Sequence, residues 1–164
     1  MTAYPVILDV YKRQSYNSHG THVAGIISKA TAGLDNIKLL PLKVLDSRGK
    51  GTVSALVESV KYAKEAEVDI INLSLGLYPY YHSKALEMAI LEAITSGITV
   101  VIASGNDNID TMNSCPSHLE LSLIHILWKD SAKALGLIIL ALLFLKKRDN
   151  PFQKLIFSIC NRLT

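Results

Sequence analysis

Disulfide chemistry is nearly absent from this sequence, whose 164 residues include only two cysteines, Cys115 and Cys160. Two cysteines in different regions cannot form a disulfide framework, which excludes a small secreted domain held by disulfides. We interpret both as free thiols without structural importance. A secretory signal is also lacking, because residues 1–8 have neither a charged start nor a long enough apolar stretch. The sequence therefore assigns no compartment.

An excess of positive charge is lacking in the central part of the chain. Residues 15–120 contain 8 lysines and arginines against 11 acidic residues, so the overall charge of +3 comes from the two ends. A nucleic-acid-binding domain presents a basic surface, which this region does not offer. Because 49% of the residues are hydrophobic, the chain can form one domain with a packed core. We expect no nucleic-acid partner.

Long hydrophobic runs are scarce, and the strongest one covers residues 134–145, followed by Lys146-Lys147-Arg148. Its most apolar part, residues 135–145, is well short of the roughly 20 residues that a membrane-spanning helix needs. A membrane partner is therefore disfavoured. A membrane-associated protein that uses residues 135–145 as an anchor with a positive flank is kept as an alternative.

Strands and helices alternate between residues 37 and 103. The apolar spacing predicts strands at 37–44, 68–75 and 98–103, one helix through Val53, Leu56, Val57 and Val60, and a second through Leu86, Ala89, Ile90 and Ala93 that ends near Gly97. Such alternation implies right-handed crossovers and a parallel sheet. The predicted fold class is α/β, a partial three-layer α/β/α arrangement. Ligands of such sheets bind beyond the carboxyl ends of the strands.

A histidine stands at the start of a predicted helix of small residues in the segment 17–25, NSHGTHVAG. His19 can act as a general base only if a nucleophile and an orienting carboxylate lie beside it. Taken alone, a helix-capping or core histidine would be the better interpretation. His22 lies one turn further on, but no carboxylate or cysteine with ligand spacing accompanies the pair, so we predict no metal site there.

The nonapeptide resembles the histidine segment of the subtilases, the subtilisin-like serine peptidases. Two further segments agree in order, Asn72-Leu73-Ser74-Leu75-Gly76 and Ala103-Ser104-Gly105-Asn106-Asp107. The resemblance covers residues 15–120 and implies an incomplete subtilisin-like fold. It assigns the catalytic base to His19 and the oxyanion donor to Asn106. It assigns the binding of an extended peptide or protein substrate to Ser74, Leu75 and Gly76.

Two parts of the machinery that this resemblance implies are missing. Subtilases take an orienting aspartate from an Asp-(Ser/Thr)-Gly strand end upstream of the histidine, whereas Asp9, the only acidic residue there, is followed by Val10-Tyr11. The nucleophile belongs to a Gly-Thr-Ser-Met-Ala helix start, a context that none of the later serines has: Ser114, Ser117, Ser122, Ser131 and Ser158. We predict no triad-dependent peptidase activity for this chain.

Two interpretations remain beside the incomplete serine endopeptidase. The first is a non-catalytic peptide-binding module of subtilase type, and the second is the membrane-associated protein described above. The resemblance implies no organic cofactor. Structural calcium is common in the family, but no cluster of oxygen ligands in the sequence assigns a site.

Both flanks of the resembling region have unusual coding potential. Residues 9–14, DVYKRQ, can be encoded by GATGTGTATAAGAGACAG, and residues 121–126, LSLIHI, by its reverse complement. That string resembles the transposase-end adapter of sequencing libraries. We therefore expect three parts: a non-native or disordered leader at 1–14, an incomplete peptidase domain at 15–120, and an unrelated apolar and basic tail at 121–164.

Overall fold

The protein is described by a computed structural model that covers residues 5–8, 19–33, 37–103, 110–119 and 125–126. Within these residues the chain forms five β-strands and three α-helices. In chain order they are β1 (Pro5–Leu8), α1 (His19–Ala30), β2 (Leu40–Leu42), α2 (Val53–Glu65), β3 (Ile70–Leu73), α3 (Lys84–Thr95), β4 (Thr99–Ala103) and β5 (His125–Ile126).

The strands form one parallel sheet in the order β2-β1-β3-β4-β5. Strand β1 is paired on both sides, so that Val6 lies opposite Leu40 on one neighbour and opposite Ile71 on the other. This strand belongs to the segment that the sequence assigned to a leader. The chain therefore runs from the interior of the sheet, through α1, to its β2 edge.

The predicted strand at 37–44 is shorter in the structure, where β2 comprises Leu40–Leu42. Pro41 lies on the outermost strand of the described sheet, which needs ladder donors on one side only and so tolerates a residue without an N–H. The predicted strand at 68–75 narrows to Ile70–Leu73. Ser74 and the residues after it therefore lie just beyond a strand end.

Both central helices begin at a side-chain cap. The Thr52 hydroxyl accepts a hydrogen bond of 3.2 Å from Ala55 N, and the Ser83 hydroxyl accepts one of 3.4 Å from Leu86 N. Helix α3 ends two residues before Gly97, whose φ of 87° is the left-handed conformation that glycine adopts readily. The predicted helices at both places are confirmed.

Two faces of the sheet are covered. On one face Ile71, Leu73, Val100 and Ile102 pack with α2 and α3 in a single apolar cluster. Ile70 and Val101 are also buried but lie outside that cluster, as do Val23 and Ile27 of α1. Because side chains alternate between the two faces along a strand, Ile70 and Val101 face the opposite side of the sheet. Val23 and Ile27 of α1 belong to that side as well. The described part is thus a partial three-layer α/β/α arrangement.

No helix among the described residues is both long and apolar enough to cross a membrane. The apolar segment 135–145 lies outside the described residues.

Candidate active site

His19 and Ser74 meet at the edge of the sheet where β3 ends. His19 is the first residue of α1, and its Nε2 lies 2.8 Å from the carbonyl oxygen of Ser74, 55 residues further along the chain. The imidazole is exposed. The structure thus brings together two of the three segments that the sequence singled out.

The hydrogen bond fixes where the His19 proton resides. A carbonyl oxygen can only accept, so Nε2 must carry the hydrogen that it donates to Ser74. In a Ser-His-Asp arrangement Nε2 is the atom that takes the serine proton. The observed arrangement therefore holds the imidazole in place but leaves Nε2 as a donor rather than a base.

The side chain of Ser74 is held by a buried amide, to which the sequence analysis assigned no role although it lies in the same motif. Asn72 is 1% exposed, and its Nδ2 donates a hydrogen bond of 2.8 Å to Ser74 Oγ. Asn72 is the polar residue in an otherwise apolar strand, IINL, and that contrast could have identified it. Since its hydroxyl turns towards Asn72 and its carbonyl towards His19, Ser74 acts here as a positioned backbone group.

The next two residues present backbone at the surface. Leu75 packs partly against the core, whereas Gly76 is exposed. A Cβ added at Gly76 would meet only the carbonyl oxygen of Cys115, at an ordinary contact distance of 3.7 Å. An extended peptide can therefore approach the Gly76 backbone closely, as strand addition requires.

A pocket of about 450 Å³ opens beside this segment. Leu75 and Gly76 form one wall, Val44 and Leu56 contribute apolar surface, and the exposed Tyr81 lies at its rim. Such a mostly apolar, concave surface fits an apolar side chain of a bound peptide.

Residues 45–51, which we name the glycine loop, border this pocket. Asp46 Oδ1 accepts hydrogen bonds from the backbone N–H groups of Arg48 (2.8 Å) and Lys50 (2.9 Å). These two bonds, that of Lys50 first, hold the pKa of the Asp46 carboxyl below its usual value. A Cβ at Gly51 would lie 2.3 Å from the carbonyl oxygen of Val44, so only glycine fits.

Residues 110–119, which we name the cysteine loop, contact the backbone that follows Gly76. Leu77 N donates to Cys115 O and Tyr80 N donates to Asn113 O, both at 2.9 Å. The thiol of Cys115 is fully buried, and burial raises its pKa. The cysteine loop therefore supports the backbone that follows Gly76.

One group of side chains within the described residues has the geometry of a metal site. It consists of His82, Glu87, Cys115 and His118, whose ligand atoms all lie within 4.8 Å of one another. The structural calcium that the resemblance implies does not fit these residues, because calcium takes oxygen ligands and this group offers two imidazoles and a thiol.

Two of the candidate residues cannot be placed, and one candidate serine is inaccessible. Asn106 lies outside the described residues, three residues after the end of β4. Asp9 also lies outside them, although it directly follows β1 in sequence. Of the later serines, Ser117 is 1% exposed and its hydroxyl donates to Ser114 O at 3.1 Å, which is no position for an accessible nucleophile.

Curated relatives match a large share of this chain. The extracellular serine proteinase of Thermus sp. strain Rt41A is 37% identical over 123 residues, which cover 73% of this chain and 29% of that protein. Subtilisin DY from Bacillus licheniformis is 44% identical over 96 residues, which cover 55% of this chain and 34% of that protein. The chain thus spans about a third or less of the length of these relatives.

Solved structures agree with the sequence matches. A cold-adapted subtilisin-like serine proteinase superposes with a TM-score of 0.57 at 28% identity, covering 72% of this chain and 51% of that one. A protease from Pseudoalteromonas arctica, at 22% identity, shares the fold with a TM-score of 0.61 over 72% of this chain and 54% of its own.

The family match extends beyond the three motifs in both directions. The model of the subtilase family matches residues 3–127, which is most of the chain and includes β1 and β5. The motifs, the parallel sheet and the junction of His19 with Ser74 lie within the matched region. This chain belongs to the subtilase family.

Proposed function

We propose that this chain is part of a serine endopeptidase and that, as it stands, it has no triad-dependent peptidase activity. The observation that carries the proposal is the 2.8 Å hydrogen bond from His19 Nε2 to Ser74 O. It joins the base to the substrate-binding segment of the same family pattern. The division into a leader (1–14), a peptidase domain (15–120) and a tail (121–164) stays a prediction, and β1 within the segment 1–14 is paired into the sheet of the domain.

In the intact parent protein, His19 takes the proton of a serine supplied by a later segment and returns it to the leaving amine. Asn106 donates to the oxyanion of the tetrahedral intermediate. Ser74, Leu75 and Gly76 align the peptide or protein substrate as an added strand, and the adjacent pocket receives an apolar side chain.

Two features of this chain support its inactivity. Nucleophilic catalysis needs a hydroxyl within hydrogen-bond reach of its base. In the described residues Nε2 of His19 instead donates to a carbonyl, and Ser117 is buried. While Nε2 donates to the Ser74 carbonyl, it cannot take a proton from a hydroxyl.

A serine-directed fluorophosphonate tests this proposal on the purified chain. We expect no labelling at a single serine, with the same background in His19→Ala as in the unchanged chain. Stoichiometric labelling of one serine that is lost in His19→Ala would overturn the inactivity. Labelling of the uninterrupted parent protein, abolished there by His19→Ala, is the expected positive counterpart.

A second candidate function, a non-catalytic peptide-binding module, is supported by the exposed Gly76 beside the pocket. Extended peptides with one apolar side chain should then bind saturably in the micromolar range, and Gly76→Val should weaken them at least about tenfold, or 1.4 kcal/mol. Gly76→Ala is the matched smaller change. Absence of saturable binding by the folded chain would exclude this function.

A further inference from the structure

The strongest unassigned feature is the cluster of His82, Glu87, Cys115 and His118, which we name the HECH cluster. Two short segments supply it: residues 82–87, which lead into α3, and residues 115–118 of the cysteine loop. Their sequence separations are those of His-x4-Glu and Cys-x2-His. None of these residues belongs to the His19 and Ser74 junction, so the cluster needs its own explanation.

The hydrogen bonds of His118 fix its ring. Its Nδ1 lies 3.1 Å from the carbonyl oxygen of Ser114, which can only accept, so Nδ1 carries a hydrogen. In the neutral ring Nε2 is then an unprotonated acceptor. A metal-binding histidine characteristically donates its other N–H to a backbone carbonyl in this way.

Nε2 of His118 faces a second acceptor. It lies 3.3 Å from Glu87 Oε1, and the two side chains are only 16% and 13% exposed. Lys84 Nζ contacts the other oxygen of this carboxylate at 3.6 Å, so Oε1 is the oxygen that faces the ring. The fold therefore holds two potential ligand atoms together at a half-enclosed point.

The other two members complete a four-ligand set around that point. The ring of His82 meets that of His118 edge to face, with centroids 4.6 Å apart, and His82 is exposed enough to turn. The buried sulfur of Cys115 lies within 4.8 Å of the ligand atoms of the other three residues. Imidazole nitrogen, carboxylate oxygen and thiolate sulfur are all ligand atoms of zinc, and four of them complete a tetrahedral site.

The distances suit a zinc ion. Bonds of about 2.0–2.3 Å in a tetrahedron place ligand atoms roughly 3.3–3.6 Å apart. The pair of Glu87 and His118 is already at 3.3 Å, and the widest separation in the cluster is below 4.8 Å. Rotation of the exposed His82 side chain can supply part of the remaining approach of about an ångström.

We propose that the HECH cluster binds a divalent transition-metal ion, and that zinc is the ion it fits best. The bound ion joins the cysteine loop to the start of α3. Because Cys115 also accepts from Leu77 N through its carbonyl oxygen, and Asn113 from Tyr80 N, the ion stiffens the backbone that follows Gly76. The bound ion thus stabilises the backbone of the proposed peptide-binding edge.

Zinc binding to the folded, metal-free full chain tests the site. We expect one zinc ion per chain with a Kd below about 1 μM. We expect His82→Asn to weaken binding at least about tenfold. His82 is exposed, so this variant keeps its fold, and His22→Asn, which changes another exposed histidine, is the matched control and should bind as the unchanged chain does.

Cobalt is the spectroscopic probe of the thiol ligand. Bound cobalt should give the near-ultraviolet charge-transfer band of a cobalt–thiolate bond, and Cys115→Ser should remove it. If Cys115→Ser does not fold, the band must still weaken at fixed cobalt concentration in His82→Asn. A band that is unchanged in His82→Asn would overturn the assignment.

Amide hydrogen exchange tests whether the bound ion stabilises this backbone, separately from whether the ion binds. Zinc at about 100 times its Kd should slow exchange at Leu77 and Tyr80 by up to about 100-fold, and this gain should shrink in His82→Asn. Two results would overturn the proposal. The first is no zinc bound at up to about 1 mM. The second is equal loss of binding in His22→Asn.

Discussion

The glycine loop and the cysteine loop both border the segment Ser74 to Leu77, but they are held differently. The glycine loop closes by local contacts, with Asp46 accepting from two N–H groups and Gly51 packed against Val44 O. The cysteine loop also has local hydrogen bonds, such as that from His118 N to Ser114 O, but it adds side-chain contacts to residues about 30 positions earlier, such as that of His118 with Glu87. The cysteine loop therefore depends more on the assembled fold.

This difference indicates which changes should destabilise each loop. Local backbone closure fails when one atom is added at the wrong place, whereas a side-chain cluster responds to ions and to replacement of its ligands. Mutations and ligands can therefore affect the two loops separately, although both border the segment Ser74 to Leu77.

Zinc should produce the largest effect, and only through the cysteine loop. At 100 times its Kd, an ion that binds the folded chain alone raises the free energy of unfolding by about 2.7 kcal/mol. Urea unfolding with and without zinc measures this, with His82→Asn as the variant that should lose most of the gain. An equal gain in both proteins would place the ion elsewhere.

Gly51→Ala should damage the glycine loop by about 1–3 kcal/mol of unfolding free energy, because its Cβ would lie 2.3 Å from a backbone oxygen. Gly25→Ala in α1 is the matched control, since nothing lies within 4 Å of its Cβ. That variant should stabilise by about 0.5–1 kcal/mol. Similar effects at both positions would refute the close packing of Gly51.

The two helix caps adjoining the loops should each be worth about 1 kcal/mol. Thr52 caps α2 after the glycine loop, and Ser83 caps α3 beside the cysteine loop. We expect Thr52→Ala to cost slightly more than Ser83→Ala, because its hydrogen bond is shorter, 3.2 Å against 3.4 Å. Thermal unfolding of the two variants gives the comparison, and a negligible loss in both would contradict the caps.

Acidification should destabilise the glycine loop, and this is the smallest of the expected effects. The two backbone N–H groups lower the pKa of Asp46 in the folded chain, so their contribution is fully present above the unfolded value of about 3.9 and is lost as the pH falls through the folded pKa. Asp46→Asn should remove this pH dependence. The measurement is amide hydrogen exchange at Arg48 and Lys50 as a function of pH. Identical pH profiles for the unchanged chain and for Asp46→Asn would exclude this contribution of Asp46.

The fold was largely predictable from the sequence because its signals are local. The spacing of apolar residues identified α2, α3, β3 and β4, and both of these helices begin at a side-chain cap. Strand β1 was not predicted. Its four residues carry too little periodicity, and its place in the sheet is fixed by pairing with β2 and β3 from distant parts of the chain.

The candidate site was predictable where a motif exists and not where the fold assembles it. The segment around His19 and the segment around Ser74 each carry a recognisable pattern, and the structure joins them. The HECH cluster has no such pattern in one stretch. The Cys-x2-His spacing at Cys115 and His118 was a signal, but its partners lie about 30 residues earlier, His82 just before α3 and Glu87 in its first turn.

The enclosed position of β1 has a consequence for truncation. Four residues near the amino terminus satisfy ladder hydrogen bonds of two neighbours at once. Cutting them away would split the sheet into a lone β2 and a three-stranded remainder, each with a bare row of amide and carbonyl groups. A shortened chain would then recruit foreign strands and precipitate, so any expression strategy must retain those first residues.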